Sequence, residues 1–240
     1  MINPSFQRLA LLTGNEVIQK LTQTCVIIVG VGGVGSWCAE ALIRSGLGKI
    51  GIIDSDIVCD SNINRQVQAT SRTLGQAKVE ALKTRLLEIN PLCEVTAWEK
   101  TFSRDNAAEF NIEQADFVID AIDTLSNKLD LIEITHGYGA NAGLTLFSSM
   151  GMARKMDPTR IKTADIWKTN GDPLARLVRE GLRKRGFKGN FTAVFSDEQI
   201  EQNFDKTEDD KKINGSVVTV TASAGMVLAS LILQDIAGRC

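Results

Sequence analysis

The sequence predicts an α/β fold: a Rossmann-like, mainly parallel sheet with helices on both faces. Three observations carry this expectation. Short apolar runs alternate with amphipathic helical segments up to Ser148, as strands that need helical covers on both sides require. Gly30-Val31-Gly32-Gly33-Val34-Gly35 follows one such apolar run and opens a helical segment, which is G-x-G-x-x-G where it can turn a strand into a helix. With 240 residues, 43% of them apolar, the chain can bury one large core.

The elements follow in order. Cys25–Val29 reads as the first strand and Val34–Ser45 as a helix that Gly46 ends. Lys49–Asp54 is a second strand. Gln76–Ile89 is a helix stopped by Asn90-Pro91, because proline cannot continue it. Glu94–Trp98 and Phe117–Asp120 are further strands, Leu125–Tyr138 a helix and Leu144–Ser148 a strand. From Met152 the character changes. Residues 153–190 carry eleven Lys/Arg against four Asp/Glu, and residues 197–212 reverse the sign with seven acids against three bases. The segment 202–212 is expected as a solvated loop. Ser216–Val220 returns to strand chemistry. The apolar stretch Val217–Ile236 is interrupted by Thr219, Thr221, Ser223, Ser230, Gln234 and Asp235, so it is expected as a strand and a buried closing helix with no membrane span.

Bulk properties exclude some functions. The formal net charge is −2, so any nucleic-acid contact must be a local patch. Cys25, Cys38, Cys59, Cys93 and Cys240 form no C-x-x-C pair, which argues against a zinc knuckle. They are expected as buried free thiols in a reducing, cytoplasmic setting. Residues 1–10 hold no apolar signal core.

The glycine turn is a phosphate site by its chemistry. Gly30, Gly32, Gly33 and Gly35 permit a tight turn and close approach of phosphate to backbone N–H groups, next to the positive end of a helix dipole. Nineteen residues after Gly35, Asp54 ends the second strand, where a carboxylate can accept both ribose hydroxyls. The motif alone does not choose between NAD, FAD and ATP.

The following residues do discriminate. Ser55-Asp56 leads to Ser61-Asn62-Ile63-Asn64-Arg65-Gln66, and thirteen residues past Arg65 comes Lys78 in Gly75-Gln76-Ala77-Lys78-Val79-Glu80. Attack at the α-phosphorus of ATP builds charge on the departing pyrophosphate, and fixed cations stabilise it. This order of motifs, from Phe6 to about Pro158, resembles the ThiF/MoeB/HesA family, relatives of the ubiquitin-activating enzymes that adenylate carboxylates. The resemblance implies ATP and Mg2+ as cofactors. It implies Arg65 and Lys78 as phosphate contacts, Asn62 and Gln66 as polar supports, and Asp123 of Val118-Ile119-Asp120-Ala121-Ile122-Asp123 as the magnesium carboxylate. Phe6-Gln7-Arg8 is similar to the family's N-terminal aromatic-x-Arg, whose arginine reaches the partner subunit's ATP; a homodimer is implied. A structural monovalent cation is a further family expectation.

The second half narrows the branch. Gly151-Met152-Ala153-Arg154-Lys155-Met156-Asp157-Pro158, Ala164-Asp165-Ile166, Asp172-Pro173-Leu174-Ala175-Arg176 and Val194-Phe195-Ser196 resemble the tRNA threonylcarbamoyladenosine dehydratases (the TcdA/CsdL type). The resemblance implies one adenylation domain over 1–240, with a basic helical insertion at about 165–213. It implies a tRNA carrying threonylcarbamoyladenosine as substrate, and a sulfur-relay cysteine desulfurase as a further partner. In that reading ATP adenylates the threonyl carboxylate, and a nucleophile on the same base then closes a ring and releases AMP. Two C-x-x-C pairs, frequent in sulfur-carrier activators, are missing.

The basic segment supports RNA independently. Asp172 can cap a helix, Pro173 suits its first position and Gly186 its stop. Leu174, Leu177, Val178 and Leu182 share one face, leaving Arg176, Arg179, Arg183 and Lys184 outward, with Arg185 and Lys188 following. His136 is expected at a helix C-terminus with no catalytic role. Trp37 and Trp98 are expected in packing, and Trp167 is the one candidate for base stacking. Three other functions stay open: an activator of a ubiquitin-like sulfur carrier, an NAD-dependent oxidoreductase, and a nucleotide-sensing module.

Overall fold

A computed structural model describes residues 3–199 and 214–239, without the side chains of residues 140–142. Seven strands form one sheet: β1 (Cys25–Val29), β2 (Lys49–Ile53), β3 (Glu94–Trp98), β4 (Phe117–Asp120), β5 (Thr145–Ser149), β6 (Ile161–Asp165) and β7 (Thr192–Ser196). Their order is β3-β2-β1-β4-β5-β7-β6. All neighbours are parallel except the β6–β7 pair at one edge. The chain steps outward from β1 in one direction to β3, then returns to β4 on the other side. That reversal leaves a crevice beyond the C-terminal ends of β1 and β4, where open α/β sheets bind ligands.

The helices are α1 (Gln7–Thr13), α2 (Asn15–Gln23), α3 (Gly35–Arg44), α4 (Lys78–Ile89), α5 (Leu125–Ala142), α6 (Pro173–Lys184) and α7 (Val218–Ile236). Both sheet faces are covered, as expected. Leu42, Ile43, Leu82, Leu86, Leu228 and Ile232 from α3, α4 and α7 build one apolar layer. Leu131, Ile132, Val178 and Leu182 from α5 and α6 build the other, with Phe102 and Phe110. β1, β2, β4, β5 and β7 are buried along nearly all their length, so β1, β2 and β4 read as continuous apolar runs, while the edge strands β3 and β6 hold no fully buried residue. Phe6, Ala10, Val17, Ile18 and Leu21 of the N-terminal helices form a smaller cluster against Leu233 and Ile236 of α7.

Three expectations need correction. Ser216–Val220 is not a strand, because α7 begins at Val218. Its Val/Thr alternation favours a strand locally, but Val220, Ala224, Leu228 and Ile232 recur at helical spacing and are fully buried, and that packing wins over propensity. Gly225 explains the close fit, since a Cβ there would stand 2.5 Å from the Val34 carbonyl oxygen. α7 is also the one described helix long and apolar enough to cross a membrane, and its buried face packs on α3. The stretch 165–213 contains β7, which pairs with both β5 and β6, so the sheet runs through it and the basic helix α6 is a connection between two of its strands. The acid-rich segment 202–212 lies outside the described residues. Among the cysteines Cys38 and Cys93 are buried, Cys25 is intermediate and Cys59 is exposed. Burial pushes the Cys93 thiol up to about 12.

Candidate active site

A cavity of about 960 Å³ opens at the reversal point between β1 and β4. The glycine turn forms its floor. Gly30 has φ +90°, and a Cβ there would lie 2.6 Å from the Ala121 carbonyl oxygen. Gly35 is tighter, with the Gly30 carbonyl oxygen 1.9 Å from any Cβ. These two glycines let β1, the first turn of α3 and the loop after β4 meet. Gly32 and Gly33 line the open side. Gly32 has no neighbour closer than 3.9 Å to an added Cβ, so its backbone faces space that a ligand can enter.

Asp54, just past β2, is tied to this turn. Its Oδ2 accepts the Val31 N–H at 2.8 Å and its Oδ1 the Asp56 N–H at 2.9 Å. Burial pushes the carboxyl above the usual aspartate range, against the pull of those hydrogen bonds and of Lys78. Lys78 opens α4 with a buried ammonium 2.7 Å from Asp56 Oδ2. Its backbone N–H also binds the Asp56 carbonyl at 2.9 Å, so the D-x-D segment and the start of α4 are one unit.

The residues between them wrap over the glycine turn. Asn62 is buried, and its Oδ1 accepts the Cys59 N–H at 3.1 Å. Arg65 donates through Nη1 to the Ser61 carbonyl at 2.7 Å and to Asn64 Oδ1 at 2.9 Å. The indole of Trp37 donates to the Arg65 carbonyl at 2.9 Å, so this tryptophan, expected only as packing, also fixes the arginine's backbone. Gln66 is buried with its Oε1 lacking a hydrogen-bond partner among the described residues. A cavity-lining acceptor left this way is a place for a ligand donor or ordered water.

Asp123 lines the opposite wall and is exposed, with the Thr124 hydroxyl 3.4 Å from its Oδ1. Thus Gly30, Gly32, Gly33, Asp54, Asn62, Arg65, Gln66, Lys78 and Asp123 all line one cavity. Gly35 supports it from beneath. Arg8 is the exception: it is exposed on α1 and lines no part of its own chain's cavity.

Sequence reasoning missed two buried ion pairs below this surface. Asp120, the last residue of β4, binds Lys128 Nζ at 2.7 Å and the Ser148 hydroxyl at 2.5 Å, with all three fully buried. Its other oxygen accepts the Ile122 N–H at 3.1 Å, which shapes the loop that carries Asp123. Lys155 binds Asp172 Oδ2 at 3.0 Å and the Ser196 carbonyl at 2.6 Å. Asp172 also caps α6 through the Ala175 N–H at 2.8 Å. This pair fastens the start of the basic helix to the cavity wall, and Pro173 and Leu174 line the cavity beside Gly151–Lys155. Lys128 lies eight residues from its carboxylate and Lys155 seventeen, so the signal was a charge inside an apolar context and no spacing rule.

The basic helix differs in detail from expectation. Ala175, Val178 and Leu182 are its buried residues, while Leu177 is 41% exposed. Arg183 lies over the Trp167 ring at 5.3 Å and the indole N–H is bound to the Gly189 carbonyl. Trp167 is therefore engaged by the protein itself and offers no open stacking face on the arginine side. His136 lies inside α5, six residues before its end, because the helix continues to Ala142.

A cavity with free backbone turns, arginine and lysine side chains, and the exposed carboxylate of Asp123 on the wall facing them suits a nucleoside triphosphate with its metal ion. Comparisons with known proteins agree. The model of the ThiF family matches residues 6–239. The chain is 39% identical to the tRNA threonylcarbamoyladenosine dehydratase of Bacillus subtilis (strain 168), over 96% of this chain and 94% of that protein. It is 40% identical to the Escherichia coli (strain K12) protein of the same name, over 72% of this chain and 63% of that protein. The crystal structure of E. coli tRNA N6-threonylcarbamoyladenosine dehydratase in complex with ATP matches with TM-score 0.87 and 35% identity, covering 98% of this chain and 94% of that one.

Proposed function

The chain belongs to the ThiF family, and from that premise we propose that it dehydrates threonylcarbamoyladenosine beside the anticodon of tRNA at the expense of ATP. The observation that carries this reading is the shape of this cavity. Nucleotide-binding residues occupy one side, and the other side, Gly151–Lys155 with Pro173 and Leu174, is continuous with the basic helix α6.

The chemistry balances with groups already present. The threonyl carboxylate attacks the α-phosphorus of ATP, and pyrophosphate leaves. A nucleophile on the same modified base then attacks the acyl carbon, loses its proton and expels AMP, which carries off the carboxylate oxygen. The net change in the nucleoside is loss of one water. Holding the two ends of one molecule together gains an effective molarity on the order of 10⁵ M or more, so neither a catalytic cysteine nor a strong base is needed. Arg65 and Lys78 stabilise the phosphate charge that grows during adenylation. Asp54 accepts the ribose hydroxyls, and Asn62 and Gln66 support the triphosphate.

Asp123 suits a magnesium ion. Among the described residues no group of three His, Cys, Asp or Glu could hold a metal, and magnesium bound to nucleotides typically takes one or two carboxylates together with phosphate oxygens and water. When bound, the ion supplies charge neutralisation on the phosphates. The whole chain acts as one adenylation domain. It functions as a homodimer, because Arg8 is exposed outside its own cavity beside Leu11 and Leu12, which are 83% and 68% exposed on α1. Leucines so exposed favour burial against a partner.

Incubation with ATP, magnesium and tRNA bearing threonylcarbamoyladenosine should yield AMP and a nucleoside lighter by one water. Arg65→Ala and Lys78→Ala should each lower turnover by roughly 10²-fold or more. AMP formation that depends on a small carrier protein ending in Gly-Gly, with no change in the tRNA, would reassign the substrate.

A further inference from the structure

A second cavity, of about 460 Å³, lies at the other end of the sheet. Its rim includes Thr145 and Thr192, where β5 and β7 begin, whereas the nucleotide cavity lies where the parallel strands end. Its volume is that of a small-molecule site. Phe147, Phe187 and Phe191 supply aromatic walls, and Thr135, His136, Asp165 and Asn190 supply polar groups. Thr135 is only 1% exposed, and its Oγ1 has no hydrogen-bond partner among the described residues. A buried hydroxyl left unpaired is costly unless something else satisfies it. The His136 ring meets Phe187 edge-on at 4.9 Å.

The lining specifies the class of ligand. Asp165, whose Oδ1 accepts the Trp167 N–H at 2.8 Å, repels a phosphate. Aromatic faces beside a hydroxyl, an amide, an imidazole and a carboxylate suit a flat heterocycle with donors and acceptors at its edge. Single-stranded RNA offers such groups as splayed bases.

Helix α6 joins the two cavities. Pro173 and Leu174 at its start line the first, and Phe187, three residues past its end, lines the second. Twelve helical residues span about 18 Å. Arg176, Lys184 and Lys188 are exposed along this path, placing positive charge outside both cavities where a phosphate backbone would run. We propose that the second cavity is a subsite for an unpaired base of the RNA substrate, a few nucleotides from the one that reacts. This inference rests on the RNA reading given above.

The test uses the full chain and an anticodon stem-loop RNA with 4-thiouridine in place of loop uridines. Irradiation should give adducts on peptides containing His136 or Phe187–Thr192. Thr135→Val removes one hydroxyl and keeps the shape. It should weaken RNA binding by roughly fivefold to tenfold, the effect of one hydrogen bond, while thermal stability holds or rises and ATP affinity stays at the wild-type value. Asn190→Ala, at an exposed position, should weaken RNA binding in the same way. Adducts confined to peptides of the first cavity, with both variants binding RNA as wild type does, would overturn the subsite and leave the RNA substrate standing. Failure of the wild-type protein to bind the RNA at all would overturn both.

Discussion

In the proposed function Asp54 performs two tasks with one carboxylate. Its oxygens hold the Val31 and Asp56 N–H groups, and their remaining lone pairs are available to ribose. Burial holds its carboxyl above the ordinary aspartate range, so on acidification it takes up a proton at a higher pH than an exposed aspartate does. A protonated carboxyl is a poorer acceptor for two hydroxyls. Adenosine, which has no phosphate to titrate, should therefore bind less tightly as pH falls through that raised value, with the loss beginning above the pH at which model aspartates protonate. Calorimetry across a pH series measures this directly. Asp54→Asn should bind adenosine weakly at every pH and remove the dependence; an unchanged profile in that variant would place the titrating group elsewhere. That Asp54 lines the cavity was legible from its position after the second strand, as it was for Arg65, Lys78 and Asp123 from their motif spacing. The grip of Asp54 on the glycine turn was not, because a contact between Val31 and Asp54 exists only once β1 and β2 pair. Asp120 with Lys128 and Lys155 with Asp172 likewise meet only in the folded chain. Such pairs rigidify the loops that carry the site, and no local pattern announces them. Arg154, with φ +63° in the cavity wall, is likewise invisible to spacing arguments.

At the level of the element, α6 shows how far periodicity reaches. Asp172 as cap, Pro173 at the first turn and Gly186 after the end were all readable, and the helix is Pro173–Lys184. Which cations remain for RNA was not, since that depends on neighbours from other elements. Arg179 donates to the Thr169 hydroxyl. Arg183 covers Trp167. Arg185 sits between Asp130 and Glu133 of α5, at 2.7 and 2.9 Å. Arg176, Lys184 and Lys188 are exposed and enter no ion pair among the described residues. Phosphate contacts release counterions, so each contributes about one unit to the slope of log affinity against log salt. Arg176→Gln, Lys184→Gln and Lys188→Gln together should weaken tRNA binding and flatten that slope by up to about three units, with ATP affinity unchanged. Arg185→Gln should instead lower thermal stability and leave the slope alone. Equal slopes for the triple variant and wild type, measured at several salt concentrations, would make this helix an ordinary solvated face. The strands β6 and β7 escaped detection for a related reason. Each has five residues, and the dense charge around them hides short runs whose identity comes from pairing, β7 with β5 and β6 with β7.

For the whole molecule, the sheet order places the side chains proposed to bind nucleotide around one crevice, yet leaves Arg8 outside it. Helices α1 and α2 pack on the far end of α7 through Phe6, Ala10, Val17, Ile18 and Leu21, which fixes α1 as a rigid platform for its exposed flank. That flank holds Arg8, Leu11 and Leu12. A second copy of the chain covering these leucines would bring Arg8 toward a neighbour's triphosphate, where its guanidinium adds fixed positive charge during adenylation. If each site is built from two chains, Arg8→Ala and Lys78→Ala should each depress activity as homodimers, because every site then lacks one cation. Mixing the two variants under exchange conditions creates hybrids. In a hybrid, the site on the Arg8→Ala chain retains its own Lys78 and receives an intact Arg8 from its partner, while the other site lacks both. At equal mixing, half of the dimers are hybrids on statistical grounds, and each holds one complete site of two. Activity should therefore recover to roughly a quarter of the wild-type value, far above either variant alone. Sedimentation at micromolar concentration should show the dimer for wild type and for both variants. No recovery on mixing, with exchange verified by differently tagged chains, would return Arg8 to a surface role and make each chain's site complete by itself.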